Sequence, residues 1–245
     1  METIPKIIHY CWFGSNQKPK SVKKYIEGWK EKLPDYKFIE WNESNFDVSC
    51  CQYVEEAYYA KKFAFVSDYA RLKALYDYGG IYLDTDVEVY KDFSQLLSRA
   101  NLVLGFEEKE CIATSTMLSI KKSKFIKKFI NSYHDRHFIN VNGVIDTKTN
   151  VEVLTQMLVE EGLECDGSEQ SLLVDNESIT ILPQIYLSPY DYINCFDRSN
   201  DLSFTKHNFD ISWGNKTELV KKFTKTLITK FLGPNFLNGI RARCK

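Results

Sequence analysis

Apolar residues run almost unbroken from position 7 to 13 (Ile-Ile-His-Tyr-Cys-Trp-Phe) and stop at Gly14. A run of that length and density predicts a strand buried on both faces, as in a parallel sheet. After a polar loop, Val22, Tyr25, Ile26 and Trp29 recur at helical spacing, which predicts a helix over 21–33 that Pro34 ends. Residues 36–41 read as a second strand. Strand, helix, strand in that order predicts a right-handed parallel crossover. Positions 51–78 read as helix in two pieces, with Ala64, Ser67, Asp68, Arg71, Leu72 and Leu75 along one side of the second. Gly79-Gly80 ends it, because glycine accepts the left-handed conformation found past a helix C-terminus.

Downstream, 81–89, 102–106 and 113–120 carry strand patterns, 124–133 and 151–162 read as surface helices, and 179–187 reads as strand broken by Pro183. No internal repeat, low-complexity tract or linker interrupts the order. The pattern predicts one α/β domain over 1–215 with a mostly parallel central sheet flanked by helices, followed by a distinct segment, 216–245.

Length and composition narrow the class. With 245 residues, 44% hydrophobic and 27% charged, the chain can bury a substantial core and is too apolar for disorder. The net charge of −1 excludes a globally basic nucleic-acid binder. Seven cysteines, an odd number with Cys50 and Cys51 adjacent, fit no disulfide framework. Residues 1–6 carry no signal-like core, and no apolar run is long enough to span a bilayer. These features predict a reducing, cytoplasmic setting.

The most informative stretch is Gly79-Gly80-Ile81-Tyr82-Leu83-Asp84-Thr85-Asp86. It sets two carboxylates one residue apart at a strand end, where i and i+2 share a face roughly 6–7 Å apart. Such a pair repels itself unless a cation intervenes, and a hard divalent ion that also binds diphosphate oxygens suits it. On the preceding helix Asp68 and Arg71 lie one turn apart. They can form an internal ion pair, or Arg71 can neutralise phosphate while Asp68 accepts from sugar hydroxyls.

Ser67-Asp68-x-x-Arg71, Leu75-Tyr76 and Gly79-Gly80-Ile81-Tyr82-Leu83-Asp84-x-Asp86 resemble the sugar-binding region of D-x-D glycosyltransferases, and more narrowly glycosyltransferase family 32. The N-terminal Ile4-Pro5-Lys6-Ile7-Ile8-His9-Tyr10-x-Trp12-Phe13-Gly14 resembles that family's opening strand, and His207-x-x-x-x-Ser212-Trp213 its closing motif. The resemblance implies a GT-A-type nucleotide-binding fold and Mn²⁺ or Mg²⁺. It also implies a UDP- or GDP-sugar donor and transfer with retention, to a saccharide or lipid-linked saccharide, in capsule or lipopolysaccharide synthesis. It implies that Trp12 stacks on the base, that Asp68 holds ribose or sugar, and that Arg71 holds sugar or diphosphate. By the same resemblance Asp84 contacts ribose or the metal, Asp86 and His207 bind the metal, and Ser212 with Trp213 close over the diphosphate. The family often carries adjacent histidines where this chain has His207-Asn208, so either residue can be the one at the metal. Thr149-Asn150 stands where related sequences show Gly-Pro, in a region expected to face the acceptor. Thr114 and Ser115 are further candidates for the sugar pocket. His134 and His137 sit beside a charged helix with no third ligand and make a poor metal pair.

Segment 216–245 carries eight basic residues and one acid, a net +7 that leaves −8 on the rest of the chain. Leu219, Phe223, Leu227 and Phe231 repeat every four positions, so the segment reads as a basic amphipathic helix. Docking on the domain and lying on an anionic membrane suit it equally. Two rival functions use the same residues. A haloacid-dehalogenase-type phosphatase would use Asp84 as nucleophile, but no later acidic pair of the kind it needs is present. A non-catalytic membrane-peripheral adaptor would not need Asp68, Arg71, Asp84, Asp86 and Trp213 together.

Overall fold

In the computed structural model, which describes residues 2–108 and 110–210, the chain opens with β1 (Ile7–Cys11), α1 (Lys20–Lys32) and β2 (Lys37–Trp41). Helices α2 (Gln52–Tyr59) and α3 (Phe63–Tyr78) lead to β3 (Gly80–Leu83) and β4 (Val87–Val89). There follow β5 (Leu102–Glu108), β6 (Cys111–Ile112), β7 (Thr116–Ser119), α4 (Lys124–Asn131), α5 (Asn150–Glu160), β8 (Gln170–Val174) and β9 (Glu177–Leu182). The short elements α6 (Gln184–Leu187), β10 (Tyr190–Asp191), β11 (Phe196–Asp197) and β12 (Thr205–His207) complete the described chain.

The central sheet runs β2-β1-β3-β7-β5-β9-β8, with β6 beside β5. Its N-terminal half is parallel, as the strand-helix-strand order predicts: β1 pairs with β2 and with β3 in that sense. The expectation of a mostly parallel sheet is corrected beyond that point. β7 is antiparallel to both β3 and β5, β9 returns parallel to β5, and β8 is antiparallel to β9, so the sheet is mixed. The 81–89 pattern splits at the D-x-D, because β4 leaves the main sheet and pairs antiparallel with β12. Residues 184–187 are helical rather than extended, with Pro183 at the N-cap. Segment 216–245 lies outside the described residues.

Both sheet faces are covered. Tyr82, Leu102, Leu104, Phe106, Met117, Ile179 and Ile181 pack on one side with residues of α3, α4 and α5. Ile8, Ile81, Leu83, Val103, Leu118 and Leu182 pack on the other with Val22, Ile26 and Trp29 of α1. Neighbouring positions fall on opposite sides, the period of a strand, and burial on both makes the runs continuously apolar. The helix expected over 124–133 is the amphipathic α4, with Phe125, Ile126, Phe129 and Ile130 buried and Lys124, Lys127 and Lys128 exposed.

Gly79 and Gly80 turn the chain from α3 into β3 at φ +66° and +110°. A Cβ on Gly80 would lie 2.5 Å from the Ile7 carbonyl oxygen, so only glycine fits beside β1. His9 of β1 fastens this corner. Its Nε2 lies 2.8 Å from the Gly79 carbonyl, and Trp41 Nε1–H donates to its Nδ1 at 3.1 Å, which fixes a neutral tautomer. Burial, opposed by the Gly79 hydrogen bond, lowers the His9 pKa to about 4. The folded pKa lies below the ordinary value near 6.5, so this group's contribution is complete above pH 6.5 and is lost as pH falls through 4. Urea unfolding at pH 7 and 4.5 is expected to show about 2–3 kcal/mol of extra acid destabilisation that a His9→Gln chain lacks. Equal pH dependence in both chains would contradict the assignment.

Candidate functional site

The end of β3 brings the acids to the mouth of a cavity of about 500 Å³. Trp12 and Phe13 beyond β1, Ser21 and Val22 of α1, Ser67 and Arg71 of α3, and Asp84, Asp86, His207 and Asp210 line it. The Asp84 N–H donates to the Ser115 carbonyl at 2.8 Å, and Val87 N–H to the Asp84 carbonyl at 3.0 Å, so the turn between β3 and β4 is held at both ends. β12 then delivers the imidazole: His207 stands opposite Val87 in the antiparallel ladder. One ligand atom from each of Asp84, Asp86 and His207 falls within 4.8 Å of the others.

Arg71 is the internal brace of the site. It is 5% exposed, and its guanidinium lies 4.5 Å from the Tyr82 ring centroid. Nη2 reaches Asp68 Oδ1 at 2.8 Å and Asp84 Oδ1 at 3.3 Å, Nη1 donates to the Thr114 carbonyl at 2.7 Å, and Nε to the Ser67 carbonyl at 3.3 Å. Every nitrogen of the fork is therefore engaged within the protein. Arg71 thus holds Asp68 and Asp84 in place while lining the cavity. Tyr82 Oη–H adds a 2.9 Å bond to Asp84 Oδ1. Burial raises the Asp84 pKa despite Arg71 and His207. Burial also lifts Asp68 to about 6, against the Arg71 charge.

Asp86 behaves oppositely. Burial would raise it, but the His207 charge and hydrogen bond and the Asp210 N–H, 2.9 Å from Oδ2, outweigh burial and lower its pKa. His207 Nε2 sits 3.3 Å from Asp86 Oδ2. Burial works against the His207 charge, yet Asp86 and Glu107 raise its pKa to about 10. The pocket thus presents Asp84, Asp86 and Asp210, with Asp68 behind Arg71 and Glu107 behind His207, against one guanidinium and one imidazolium. A diphosphate entering it would meet excess negative charge, and two carboxylates with an imidazole form an oxygen-nitrogen donor set that suits Mn²⁺ or Mg²⁺.

Other expected residues fall as follows. Trp12 is partly exposed on the cavity wall, anchored by Nε1–H to the Asn16 carbonyl at 2.9 Å. Asn208 latches the loop rather than joining the three-residue cluster: its backbone N–H and its Nδ2 both reach the Asp86 carbonyl at 3.1 Å. Thr114 and Ser115 are 6% and 3% exposed and act through their carbonyls on Arg71 and Asp84. Thr149 caps α5 in a capping box with Glu152. Asn150 donates from Nδ2 to the Asp68 carbonyl at 2.8 Å, a support behind Asp68. His137 meets Glu56 at 3.1 Å. Ser212 and Trp213 lie outside the described residues. Tyr82, Glu107 and Asp210 were not anticipated. Tyr82 shares a strand face with Asp84 and Asp210 follows His207 by three, whereas nothing near Glu107 in sequence points to the site.

Residues 19–103 match the family model described as glycosyltransferase sugar-binding region containing DXD motif. The chain is 27% identical over 152 residues to inositol phosphoceramide mannosyltransferase 1 of Schizosaccharomyces pombe, covering 56% of this chain and 46% of that protein. An uncharacterized Arabidopsis thaliana protein is 38% identical over 83 residues, 31% of this chain and 12% of its own length. The chain spans less than half the length of these curated relatives. The solved structure of the PaToxG glycosyltransferase superposes with a TM-score of 0.51 at 18% identity, covering 66% of this chain and 72% of that one. That likeness is one of fold. Among the described residues no helix is long and apolar enough to cross a membrane.

Proposed function

We propose that this chain, which has a GT-A fold, is a D-x-D glycosyltransferase of family 32 type that transfers a sugar from a nucleoside-diphosphate sugar, with a divalent cation, to a saccharide or lipid-linked saccharide, a reading supported by the family-model match over residues 19–103 and by the fungal mannosyltransferase relative. The observation that carries the reading is the convergence of Asp84, Asp86 and His207 beside Trp12 in one cavity. A divalent cation held by those three side chains would supply Lewis-acid stabilisation of the departing diphosphate.

The remaining work falls to the chain itself. Arg71 and Tyr82 fix the Asp84 carboxylate so that it is preorganised toward the cavity. The low pKa of Asp86 keeps that carboxylate ionised at neutral pH, ready as a ligand. Trp12 offers an aromatic face to the base, and Asp68, ionised above about pH 6, accepts from a ribose or sugar hydroxyl. Proton removal from the acceptor needs no strong protein base if the leaving phosphate takes the proton. Retention of configuration rests on the family resemblance, and the fungal relative named for a phosphoceramide substrate supports a lipid-linked acceptor.

A panel of UDP- and GDP-sugars tested for slow Mn²⁺-dependent hydrolysis checks the reading without knowledge of the acceptor. One donor is expected to turn over and to lose turnover with chelator. Absence of both binding and hydrolysis across the panel would refute it. For the active donor, Trp12→Ala is expected to weaken donor binding roughly 10–100-fold with little change in kcat, since stacking serves ground and transition states alike. A fall in kcat at unchanged donor affinity would contradict that role.

A further inference from the structure

Glu107 is a buried acid that the reading above leaves without work. β5 is apolar from Leu102 to Phe106 and fills the sheet centre. Its ladder with β6 pairs Phe106 with Ile112 and Glu108 with Cys111, and the register shifts between those two pairs. Glu107 therefore occupies an irregularity of the bulge type, a device that turns a side chain out of strict alternation and recurs beside functional sites. Its side chain is only 14% exposed, and a carboxylate so placed costs free energy unless paired. Oε1 lies 3.5 Å from His207 Nδ1. On the opposite side of the same ring, Nε2 faces Asp86 at 3.3 Å. Phe209 packs against the ring, with centroids 3.9 Å apart. The imidazole thus lies between two carboxylates, with Nδ1 buried and near Glu107 but making no hydrogen bond, and Glu107 is not part of the cluster formed by Asp84, Asp86 and His207.

We propose that Glu107 is a positioning residue: with a cation bound it accepts the Nδ1–H of His207, which no other group takes in the structure, and so directs Nε2 toward the cation shared with Asp84 and Asp86. A ligating histidine generally gives its second ring N–H to such an acceptor, which fixes the tautomer, orients the ring and raises its basicity as a ligand. The bulge in β5 is the backbone feature that brings the acceptor there. This inference rests on the metal-site reading given above.

Mn²⁺ affinity, measured on the full chain by the electron paramagnetic resonance signal of the free ion, tests it without recourse to activity. Glu107→Gln is expected to weaken Mn²⁺ binding about 10–100-fold. On a His207→Ala background the same substitution is expected to change affinity less than about 2-fold, because its route to the ion is gone. Glu107→Asp, which keeps the charge but draws it back from the ring, is expected to fall between Glu107→Gln and the native chain, and it keeps the test open should the Gln variant not fold. Unchanged affinity in both Glu107 variants overturns the proposal. So does an equal loss on both backgrounds, since Glu107 would then act on the ion without His207. Asp86→Ala separates the two levels: if it binds Mn²⁺ as the native chain does, the metal-site reading falls and this inference with it. If it abolishes binding while the Glu107 variants bind normally, only this inference falls.

Discussion

Asp86→Asn is expected to remove Mn²⁺-dependent donor hydrolysis, with a loss of about 10²–10³-fold or more. The asparagine is nearly isosteric. Its side-chain oxygen can still accept the Asp210 N–H, and its carbonyl can still take both donors of Asn208. The loop linking β12 to the D-x-D should therefore stay closed, and what disappears is the negative charge. That charge is the one the protein takes most care to preserve, since His207 and the Asp210 N–H keep the acid ionised against its burial. Measurement of kcat/KM for the responsive donor, with and without Mn²⁺, decides the point. A variant still stimulated by the ion to native levels would leave Asp86 outside the chemistry.

Arg71→Leu is expected to lose both fold stability and activity. It would leave Asp68 and Asp84 side by side in a buried corner with no guanidinium between them, and take the 2.7 Å donor away from the Thr114 carbonyl. Breaking a buried pair in this way costs about 3–5 kcal/mol at neutral pH. The deficit should shrink on acidification. Burial already raises Asp68 to about 6 in the native chain, and loss of Arg71 removes the influence that holds both carboxyls down. A carboxyl whose folded pKa exceeds its unfolded value takes up its proton first in the folded state, so lowering pH from 8 to 5 favours folding of the variant relative to the native chain. Denaturant midpoints at those two pH values test this. A deficit that is constant or grows toward acid would contradict the arrangement. Arg71→Lys should recover part of the stability, since a single ammonium cannot reach four oxygens in different directions.

The parallel half of the sheet was readable in the sequence because local periodicity determines it. The unbroken apolar run of β1, the helical spacing of α1 and the glycine pair after α3 all fall within short windows. The mixed half was not readable. Whether β7 runs with or against β3 depends on contacts between distant segments, and the alternation of buried residues is the same either way. Residues 184–187 misled because apolar residues after a proline fit a short strand or one helical turn equally well. At the site, Asp84, Asp86, Asp68 and Arg71 were visible because they cluster within one helix-turn-strand window. His207 entered through a motif resemblance, and the reason it reaches the acids, three residues of β12 pairing with β4, carries little periodic signal of its own. The direction in which Arg71 points was equally hidden. Both readings use an arginine one turn after an aspartate, and its bond to the Thr114 carbonyl comes from a segment 43 residues away that local periodicity does not reveal.

The ribbon of β4 and β12 has a temporal consequence. The anchoring carbonyl of Asp86 and its partner Asn208 are 122 residues apart in the chain. On the ribosome the twin acids therefore emerge long before the imidazole that joins them. A nascent polypeptide can assemble much of its scaffold while this corner still lacks His207, which joins the acids only when the returning strand pairs with β4.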